Sequence, residues 1–380
     1  MPRDHAPRPA QSFLGACFAQ AAWIAILGGV AVSLLGIAPM VWPRKWLFDN
    51  LGFFQPQLLA LGLAAIACGL IGQLAPHRFP RVYRLGLLAL SLPAFSLGVA
   101  MGLRLLALPS AAPEISEGAG VPLRVVSINL ERTDLRGEAL TAFLTEARPD
   151  VLILQETAWQ AQAETLAAST GTADIAGVGP YPQFRHSGAL GDITVFSRYP
   201  LDDVREETVS SIATTIWSDD PREILSFRVN PAGAQESATT QTGSSPGLTI
   251  VAVHPESPRS KIQHADRGRY LSMVGREVAK RRKRSGLGEA LPLAVIGDWN
   301  TAPWSTRFGE FLTRFKLGTR FPGGFPQTTR FFYNWHLRWL LGATVDHVAV
   351  SAPVAIRQVG IGPDIGSDHV PLVMDLLLPR

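Results

Sequence analysis

Cysteine is scarce in this chain, with two residues among 380. Both Cys17 and Cys68 lie in apolar segments of the first third, and residues beyond 108 contain none. This distribution excludes a disulfide or a cysteine-ligated metal site in the C-terminal part. It says nothing about the redox compartment, because the general preference of cysteine for apolar surroundings would explain both positions.

Charged residues are also few. They make up 17% of the sequence, whereas hydrophobic residues reach 47% and the mean hydropathy is +0.15. Most of the apolar excess lies in runs at about 13–40, 57–75 and 82–108. Each run is near or above the roughly 20 residues that a helix needs to cross a bilayer. The sequence therefore predicts a membrane region at 1–108 with three transmembrane helices. The alternatives are buried helices of a soluble protein and a signal peptide, whose single core of about 7–15 apolar residues does not explain three runs.

The basic residues around these runs predict the membrane topology. One side carries Arg3, Arg8, Arg78, Arg81 and Arg84, and the other carries Arg44 and Lys45. The positive-inside rule places the side with more Lys and Arg in the cytoplasm. We therefore expect an integral, multi-pass membrane protein whose C-terminal domain is extracytoplasmic, on the periplasmic side. The net charge of +4 allows attraction to phosphates or anionic lipids.

A change in composition separates this region from the rest of the chain. Residues 109–120 are rich in Pro, Ala, Ser, Glu and Gly without periodicity, which predicts a linker. Strands are then predicted at 124–129, 150–156, 191–197, 223–229, 248–254, 292–297, 344–350 and 370–377, and helices at 137–147 and 265–282. Several strands follow one another without a helix between them. This order favours an α/β sandwich of sheets flanked by helices, at residues 121–380, over a doubly wound sheet.

Polar residues stand at the ends of these apolar strands. In Gly297-Asp-Trp-Asn300 a single residue separates Asp298 from Asn300, so the two-residue period of a strand directs both side chains to the same face. Such a pair can hold a water, a phosphate oxygen or a hard metal ion. Similar strand ends carry Asn129, Glu156, His254, Asp346, Asp368 and His369. A surface turn explains any one of these residues, but their recurrence favours a common site.

The segment from about 123 to 378 resembles the endonuclease/exonuclease/phosphatase (DNase I-like) superfamily of metal-dependent phosphoesterases. The motifs that carry the resemblance are Ser127-Ile-Asn129, Leu154-Gln-Glu156, Val253-His-Pro255, Gly297-Asp-Trp-Asn300, Val345-Asp-His347 and Ser367-Asp-His369, in the order of the family. The resemblance implies a four-layered α/β sandwich and hydrolysis of phosphoesters by in-line attack of water.

The resemblance also implies a divalent metal, usually Mg²⁺, with Mn²⁺ as the alternative. Glu156 would bind this metal, Asn129 would help at that site, and Asp368 would be a further metal-site carboxylate. Mg²⁺ prefers hard oxygen ligands of this kind and keeps several of its waters. By the same resemblance, Asp298 would orient or deprotonate the attacking water and Asn300 would hold the scissile phosphate.

The remaining implied residues are basic or support a basic residue. His369, oriented by Asp346, would protonate or stabilise the phosphoryl oxygens, and His254 would lie near the leaving group. Arg222 resembles an arginine near the phosphate in DNase I-like members, with a surface position as the alternative. Glu131 departs from the pattern, because apurinic endonucleases carry Asp at this place. Either an outer metal ligand or a turn residue fits Glu131.

Two further segments bear on the substrate. The cluster at 280–284 could bind nucleic acid or lipid headgroups, or it could be a solvated helix end. The aromatic and basic residues at 331–339 could stack on a base, enter a membrane interface or pack beneath the site. The sequence favours a membrane-anchored nuclease. The alternatives are a lipid or small-molecule phosphoesterase and a binding module on an inactive enzyme fold. The expected partners are a nucleic acid or phospholipid substrate and the lipid bilayer.

Overall fold

The computed structural model describes residues 11–74, 80–111, 120–131, 133–158, 180–211, 221–231 and 247–379. Two units divide the chain, Met1–Leu106 and Ala107–Arg380. Most of the predicted linker, residues 112–119, lies outside the described residues.

The first unit is helical. It contains α1 (Gln11–Val41), α2 (Trp46–Leu51), α3 (Gln55–Gly72) and α4 (Pro80–Leu106), with a 3₁₀ turn at Gly52–Phe54. Three segments are long and apolar enough to cross a membrane: Gly15–Val41, Trp46–Gly72 and Pro80–Leu106. The predicted number of such helices is confirmed. The second segment begins at residue 46 rather than 57, because α2 and the 3₁₀ turn lead directly into α3. Pro56 does not interrupt it, since it lies in the first turn of α3, where a proline leaves no hydrogen bond unmade.

Small residues allow the helices of this unit to approach closely. A Cβ atom added at Gly62 would meet Ser33, and one added at Gly69 would meet Leu87. At this close approach the Tyr83 hydroxyl donates a hydrogen bond to the carbonyl oxygen of Gly69 at 2.6 Å. Close packing of glycines and buried hydrogen bonds are typical of helices that associate in lipid.

The second unit combines helices and strands. Its helices are α5 (Glu138–Ala147), α6 (Lys261–Ser285) and α7 (Thr306–Phe315), and 3₁₀ turns occur at Gly288–Ala290, Pro322–Gly324 and Trp335–Leu337. Its strands are β1 (Val121–Asn129), β2 (Val151–Gln155), β3 (Phe184–Ser187), β4 (Ile193–Ser197), β5 (Asp202–Val209), β6 (Arg222–Val229), β7 (Leu248–Val253), β8 (Leu293–Asp298), β9 (Leu317–Thr319), β10 (Arg330–Phe331), β11 (Gly342–Ala343), β12 (Asp346–Ser351), β13 (Ala355–Ile361) and β14 (Leu372–Leu378).

Two six-stranded sheets organise these strands. Sheet I has the order β13-β14-β1-β2-β4-β3, and sheet II has the order β5-β6-β7-β8-β12-β9. β10 and β11 form a separate short ribbon. Each large sheet contains one parallel pair, β1 with β2 in sheet I and β7 with β8 in sheet II, and its other neighbours are antiparallel. The carboxyl ends of each parallel pair therefore meet at one edge of its sheet.

The two sheets pack face to face between outer helices. On β1, Leu123 and Val125 face the core between the sheets, whereas Val126 and Ile128 pack with residues of α5. On β7, the alternate residues Val251 and Val253 pack with residues of α6 and α7. This alternation produces four layers, helix, sheet, sheet and helix. The predicted four-layered α/β sandwich is confirmed.

The start of the second unit differs from the predicted linker. Ser110 forms a parallel bridge with Thr319, and the backbone N–H of Ala111 donates to the Thr319 carbonyl at 3.1 Å. Ala111 is buried in the core between the sheets. The edge strand β9 leaves backbone donors and acceptors without a neighbour, and a short extended segment satisfies them. Residues 109–111 therefore belong to the domain rather than to a free linker.

Candidate active site

The predicted site residues meet at the carboxyl ends of the two parallel pairs. Asn129 ends β1 and Glu156 follows β2, while His254 follows β7 and Asp298 ends β8. The antiparallel register of β12 places Asp346 directly opposite Asp298. A connected cluster results, with members Asn129, Glu156, Arg222, His254, Asp298, Asn300, Asp346, Asp368 and His369.

The side-chain amide of Asn129 lies at the centre of the cluster. Its Nδ2 is 3.0 Å from Glu156 Oε1 and 3.4 Å from both His254 Nε2 and Asp298 Oδ2. Its Oδ1 accepts a hydrogen bond from the backbone N–H of Glu131 at 3.0 Å. Asn129 is buried, and its amide therefore connects residues of sheet I with residues of sheet II.

Backbone geometry directs Asp298 and Asn300 toward the same point. Gly297 has a φ of 143°, and a Cβ at this position would collide with the carbonyl of Val253. Asn300 adopts a left-handed conformation with a φ of 44°, which Asn tolerates better than most residues. Its backbone N–H donates to Asp298 Oδ1 at 2.7 Å, and its Nδ2 donates to Asp298 Oδ2 and to the Pro255 carbonyl, both at 3.0 Å. Asp298 is therefore held on both carboxylate oxygens.

His369 is held by a buried carboxylate. Its Nδ1 donates to Asp346 Oδ2 at 2.9 Å, and its Nε2 lies 3.7 Å from Asp298 Oδ2. Burial lowers the pKa of His369, but the charge and hydrogen bond of Asp346 outweigh burial and raise the pKa to about 9. Burial raises the pKa of Asp298, and Asp346 adds to this effect while His369 opposes it. Ser367 fixes the loop, because its hydroxyl donates to the Asn129 carbonyl at 2.7 Å.

His254 forms a second buried pair, with Asp192. Its Nδ1 donates to Asp192 Oδ2 at 2.9 Å, and its Nε2 lies 3.4 Å from Glu156 Oε1. Burial lowers the pKa of His254, but Asp192 and Glu156 outweigh burial and raise the pKa to about 10. Burial raises the pKa of Glu156, but His254 and Asn129 lower it more, so the carboxylate is ionised at neutral pH. Two imidazolium groups therefore face the centre of the cluster.

Two arginines border the cluster. Arg222 Nη2 donates to Glu256 Oε2 at 2.7 Å, and Arg222 Nη1 lies 3.6 Å from Asp192 Oδ1. Arg330 Nε donates to Asp368 Oδ2 at 3.1 Å. Arg222 therefore lies in the cluster rather than at a remote surface position, and Asp368 faces an arginine.

Sequence reasoning did not identify Asp192, Glu256 or Arg330. Asp192 directly precedes β4 and has the sequence signature of an ordinary turn residue, although its pairing with His254 gives it a place in the cluster. Arg330 lies in the short strand β10 and bridges to His369. No local pattern distinguishes these residues, because their partners are distant in sequence.

Glu131 contacts the cluster through its backbone N–H, which donates to Asn129 Oδ1, whereas His186 contacts a different residue. Glu131 is exposed on a turn with a φ of 50°, which fits the turn interpretation. His186 lies on β3, and its Nε2 is 2.6 Å from Glu206 Oε1 on β5.

The donor set fits a hard divalent cation. Glu156 is ionised and partly exposed, and Asp368 Oδ1 faces His369 at 3.7 Å. Ligand atoms of Asp298, Asp346 and His369 also lie within 4.8 Å of one another. In that second group Asp346 and His369 already hydrogen-bond to each other, which leaves the partly exposed Glu156 carboxylate as a further residue that could hold a metal ion.

A cavity of about 600 Å³ opens onto the cluster. Its lining includes Glu156, Arg222, His254, Asp298 and Asn300. A larger surface groove of about 900 Å³ lies between α6 and α7 and contains none of the predicted site residues. The carboxylates and histidines of the cluster therefore face a space that a small molecule, or part of a larger one, can enter.

Comparisons with known proteins agree with this geometry. The sequence matches the Endonuclease/Exonuclease/phosphatase family over residues 126–369, a range that contains every predicted site residue. A search of curated proteins found no match.

Several solved structures are similar to this chain. They include an endonuclease/exonuclease/phosphatase from Beutenbergia cavernae DSM 12333, at 18% identity, covering 68% of this chain and 72% of that chain with a TM-score of 0.45. The human Nocturnin catalytic domain is 16% identical, and the match covers 68% of this chain and 95% of that chain with a TM-score of 0.42. Sphingomyelinase C from Streptomyces griseocarneus is 15% identical, and the match covers 67% of this chain and 99% of that chain with a TM-score of 0.42. The family match extends over more than half of the sequence. On this ground the chain belongs to the endonuclease/exonuclease/phosphatase family, whose members are hydrolases that act on phosphoester bonds.

Proposed function

We propose that this protein is a membrane-anchored, metal-dependent phosphodiesterase, with nucleic acid as its first candidate substrate. The observation that carries the proposal is the position of the Asn129 amide, within 3.4 Å of Glu156, His254 and Asp298. The family is generally dependent on a divalent metal. We assign metal binding to Glu156 and Asp368, with Mg²⁺ or Mn²⁺ as the ion, and Asn129 would help at that site by orienting the Glu156 carboxylate through its Nδ2. A bound cation would neutralise charge that develops on the phosphoryl oxygens.

The residues of sheet II would activate water. Asp298 would accept a proton from the attacking water, because its carboxylate is held by the two hydrogen bonds from Asn300. Both amide hydrogens of Asn300 already have acceptors, so its primary role in this proposal is to position Asp298. A phosphate oxygen could replace the Pro255 carbonyl as an acceptor, which keeps the predicted phosphate contact within the proposal.

The two histidines would stabilise negative charge. His369, held by Asp346, would donate a hydrogen bond to the phosphoryl oxygens from a buried position. His254, held by Asp192, would donate to the leaving group, and Arg222 would add positive charge beside it. Asp192 and Asp346 would act as positioning residues that keep each imidazole protonated and oriented.

A lipid or small-molecule phosphoester is the second candidate substrate. The ribbon that carries Arg330 also carries exposed apolar side chains at Tyr333, Trp339 and Leu340, with exposed fractions of 96%, 59% and 58%. Aromatic and leucine side chains of this kind enter membrane interfaces. The three apolar helices would hold such an enzyme beside its lipid.

The substrate can be tested with the full-length protein in detergent. Plasmid DNA, a single-stranded oligonucleotide, sphingomyelin and bis-p-nitrophenyl phosphate would each be incubated with Mg²⁺, Mn²⁺ or EDTA. Metal-dependent cleavage of DNA would support the nuclease proposal, and turnover of lipid alone would support the second candidate. Absence of hydrolysis with every substrate would favour an inactive binding module.

Asp298→Asn separates catalysis from folding. We expect the rate of hydrolysis to fall by about 10³-fold, since general bases contribute about 10²–10⁴-fold. We also expect the circular dichroism spectrum and unfolding temperature to change little, because the substitution conserves volume. Asp202→Asn, which makes the same chemical change at an exposed position of β5, is the matched control and should keep full activity. Retained turnover in Asp298→Asn would refute the role of Asp298.

The membrane orientation is part of the same proposal. The distribution of basic residues around the three apolar helices favours an extracytoplasmic domain on the periplasmic side. Protease added to spheroplasts should then degrade the second unit, and the same protease added to inverted vesicles should leave it intact.

A further inference from the structure

The mouth of the active-site cavity carries a third arginine, Arg259. Its side chain is exposed and lines the same cavity as Glu156, Asp298 and Arg330. Among the residues that the structure describes, the Arg259 guanidinium makes no ion pair and no hydrogen bond. Its positive charge is therefore not neutralised within that part of the chain.

The other two arginines of the cavity differ from Arg259 in this respect. Arg222 binds Glu256 at 2.7 Å and lies 3.6 Å from Asp192. Arg330 binds Asp368 at 3.1 Å. Carboxylates thus pair with Arg222 and Arg330, whereas Arg259 has no carboxylate partner among the residues that the structure describes.

The backbone beneath Arg259 is well fixed. The Arg259 N–H donates to the Ser257 carbonyl at 2.8 Å, and the next residue, Ser260, caps α6 by accepting from the Gln263 N–H at 3.2 Å. Gln263 Nε2 also donates to Glu256 Oε1 at 3.2 Å. Because the backbone is already fixed, anion binding would have to order only the Arg259 side chain, which has no partner among the described residues.

The chemistry of the anion follows from that of the site. The guanidinium has a planar set of donors that matches a phosphate group. In the proposed function, the groups around Asn129 bind the phosphate that is hydrolysed. Arg259 lies at the mouth of the cavity, where it would contact a neighbouring group of the substrate. We propose that Arg259 binds a second phosphate of the substrate, adjacent to the phosphate that is hydrolysed. This inference rests on the proposed phosphodiesterase function and makes Arg259 a specificity-determining residue.

Two kinds of substrate present a second phosphate. A nucleic acid strand has one at the next nucleotide, and a diphosphate ester has one directly attached. Full-length protein in detergent would be assayed with two matched pairs of substrates. The first pair is the dinucleotide TpT and its 5′-phosphorylated form pTpT. The second pair is bis-p-nitrophenyl phosphate and bis-p-nitrophenyl pyrophosphate.

The measured quantity is the ratio of kcat/KM between the two members of each pair. We expect Arg259→Gln to lower this ratio about tenfold for at least one pair, the effect of losing one charge-assisted hydrogen bond. Loss for the dinucleotide pair alone would assign the second phosphate to nucleic acid, and loss for the pyrophosphate pair alone would assign it to a diphosphate. Arg259→Lys should restore part of the ratio.

Arg314→Gln, an exposed arginine on α7 that lines the separate groove, is the matched control and should leave both ratios unchanged. Unchanged ratios in Arg259→Gln would overturn the inference while leaving the phosphodiesterase proposal intact. If the wild-type protein hydrolyses none of the four substrates, the inference and the nuclease proposal both fail, and turnover of sphingomyelin would then support only the second candidate substrate.

Discussion

His347 is the neighbour of Asp346, but it lies on the opposite face of β12, as the period of a strand requires. Its ring is 4.5 Å from that of Phe308, and its Nε2 donates to the Thr301 carbonyl at 2.7 Å. Within the described part of the chain, Nδ1 has no hydrogen-bond partner. Burial lowers the pKa of His347 from 6.5 to about 4, so the folded protein keeps this histidine neutral.

The low pKa of His347 predicts a loss of stability in acid. The unfolded chain binds a proton at this histidine below pH 6.5, whereas the folded chain resists it until about pH 4. The contribution of neutral His347 to the free energy of unfolding amounts to about 3 kcal/mol. It is fully present above pH 6.5 and decreases as the pH drops toward 4. His347→Gln keeps a donor for Thr301 without titrating. We expect its unfolding temperature to fall less between pH 7 and pH 4.5 than that of the wild type. Equal decreases would contradict this explanation.

At the scale of single residues, the sequence identified most members of the cluster but not the hydrogen bonds that join them. Asp298 and Asn300 were identifiable because an apolar strand ends on them. Asp192 was not, because its partner His254 lies 62 residues away and no local pattern links the two. The hydrogen bond from the Asn300 side-chain amide could not be predicted either, since its acceptor, the Pro255 carbonyl, follows a different strand.

Helix α6 illustrates how an element changes the meaning of a charged cluster. The sequence presents residues 280–284 as one basic patch, but the helical period turns Arg281 inward. Arg281 Nη2 donates to the Ser226 carbonyl of β6 at 2.8 Å, and its Nε donates to Glu277 Oε1 at 2.8 Å. Arg281 and Glu277 are both buried, while Lys283 is exposed. The patch therefore combines a helix anchor with solvated charges.

Substitutions within the cluster should separate these two roles. We expect Arg281→Ala to lower the free energy of unfolding by about 2–3 kcal/mol, because the buried Glu277 carboxylate keeps only the Ser226 hydroxyl at 2.8 Å and Lys280 at 3.9 Å as partners. Lys283→Ala, in the same cluster, should change it by no more than about 0.5 kcal/mol. Thermal unfolding of both variants in the same detergent would measure the difference. Similar effects in the two variants would show that Arg281 does not anchor the helix.

The elements that sequence reasoning missed are those with weak patterns. β5 is an exposed edge strand that begins with Asp202 and Asp203, so it lacks an apolar face for most of its length. α7 did carry a signal, since Phe308, Phe311 and Leu312 have helical spacing and Ser305 caps the helix. Length does not explain the omission, because α5 also has ten residues and was predicted.

For the whole molecule, the domain boundary decides which fragment is stable. The composition of residues 109–120 suggests that the catalytic domain begins at about 121. The structure begins the second unit at Ala107 and inserts Ala111 into the core between the sheets. The residues just after the apolar helices therefore contribute to the stability of the sandwich.

Two truncated proteins would test this boundary. A fragment of residues 107–380 should unfold at a higher temperature than one of residues 121–380, because only the longer one retains the hydrogen bonds of residues 109–111 with Thr319. We expect a difference of about 1–3 kcal/mol from these bonds and the buried alanine. Equal unfolding temperatures would show that residues 109–111 act as a linker and do not stabilise the domain.

The pairing of β1 with β14 also has a consequence for biosynthesis. Residues 121–127 of β1 pair with residues 372–378 of β14, across nearly the entire length of the second unit. Sheet I therefore lacks one neighbour of β1 until the ribosome has translated that final strand. Asp368 and His369 are made only shortly before it. A nascent chain therefore cannot complete its active site before this point. Until then the edge of β1 that pairs with β14 stays unpaired, and chaperones would need to protect it.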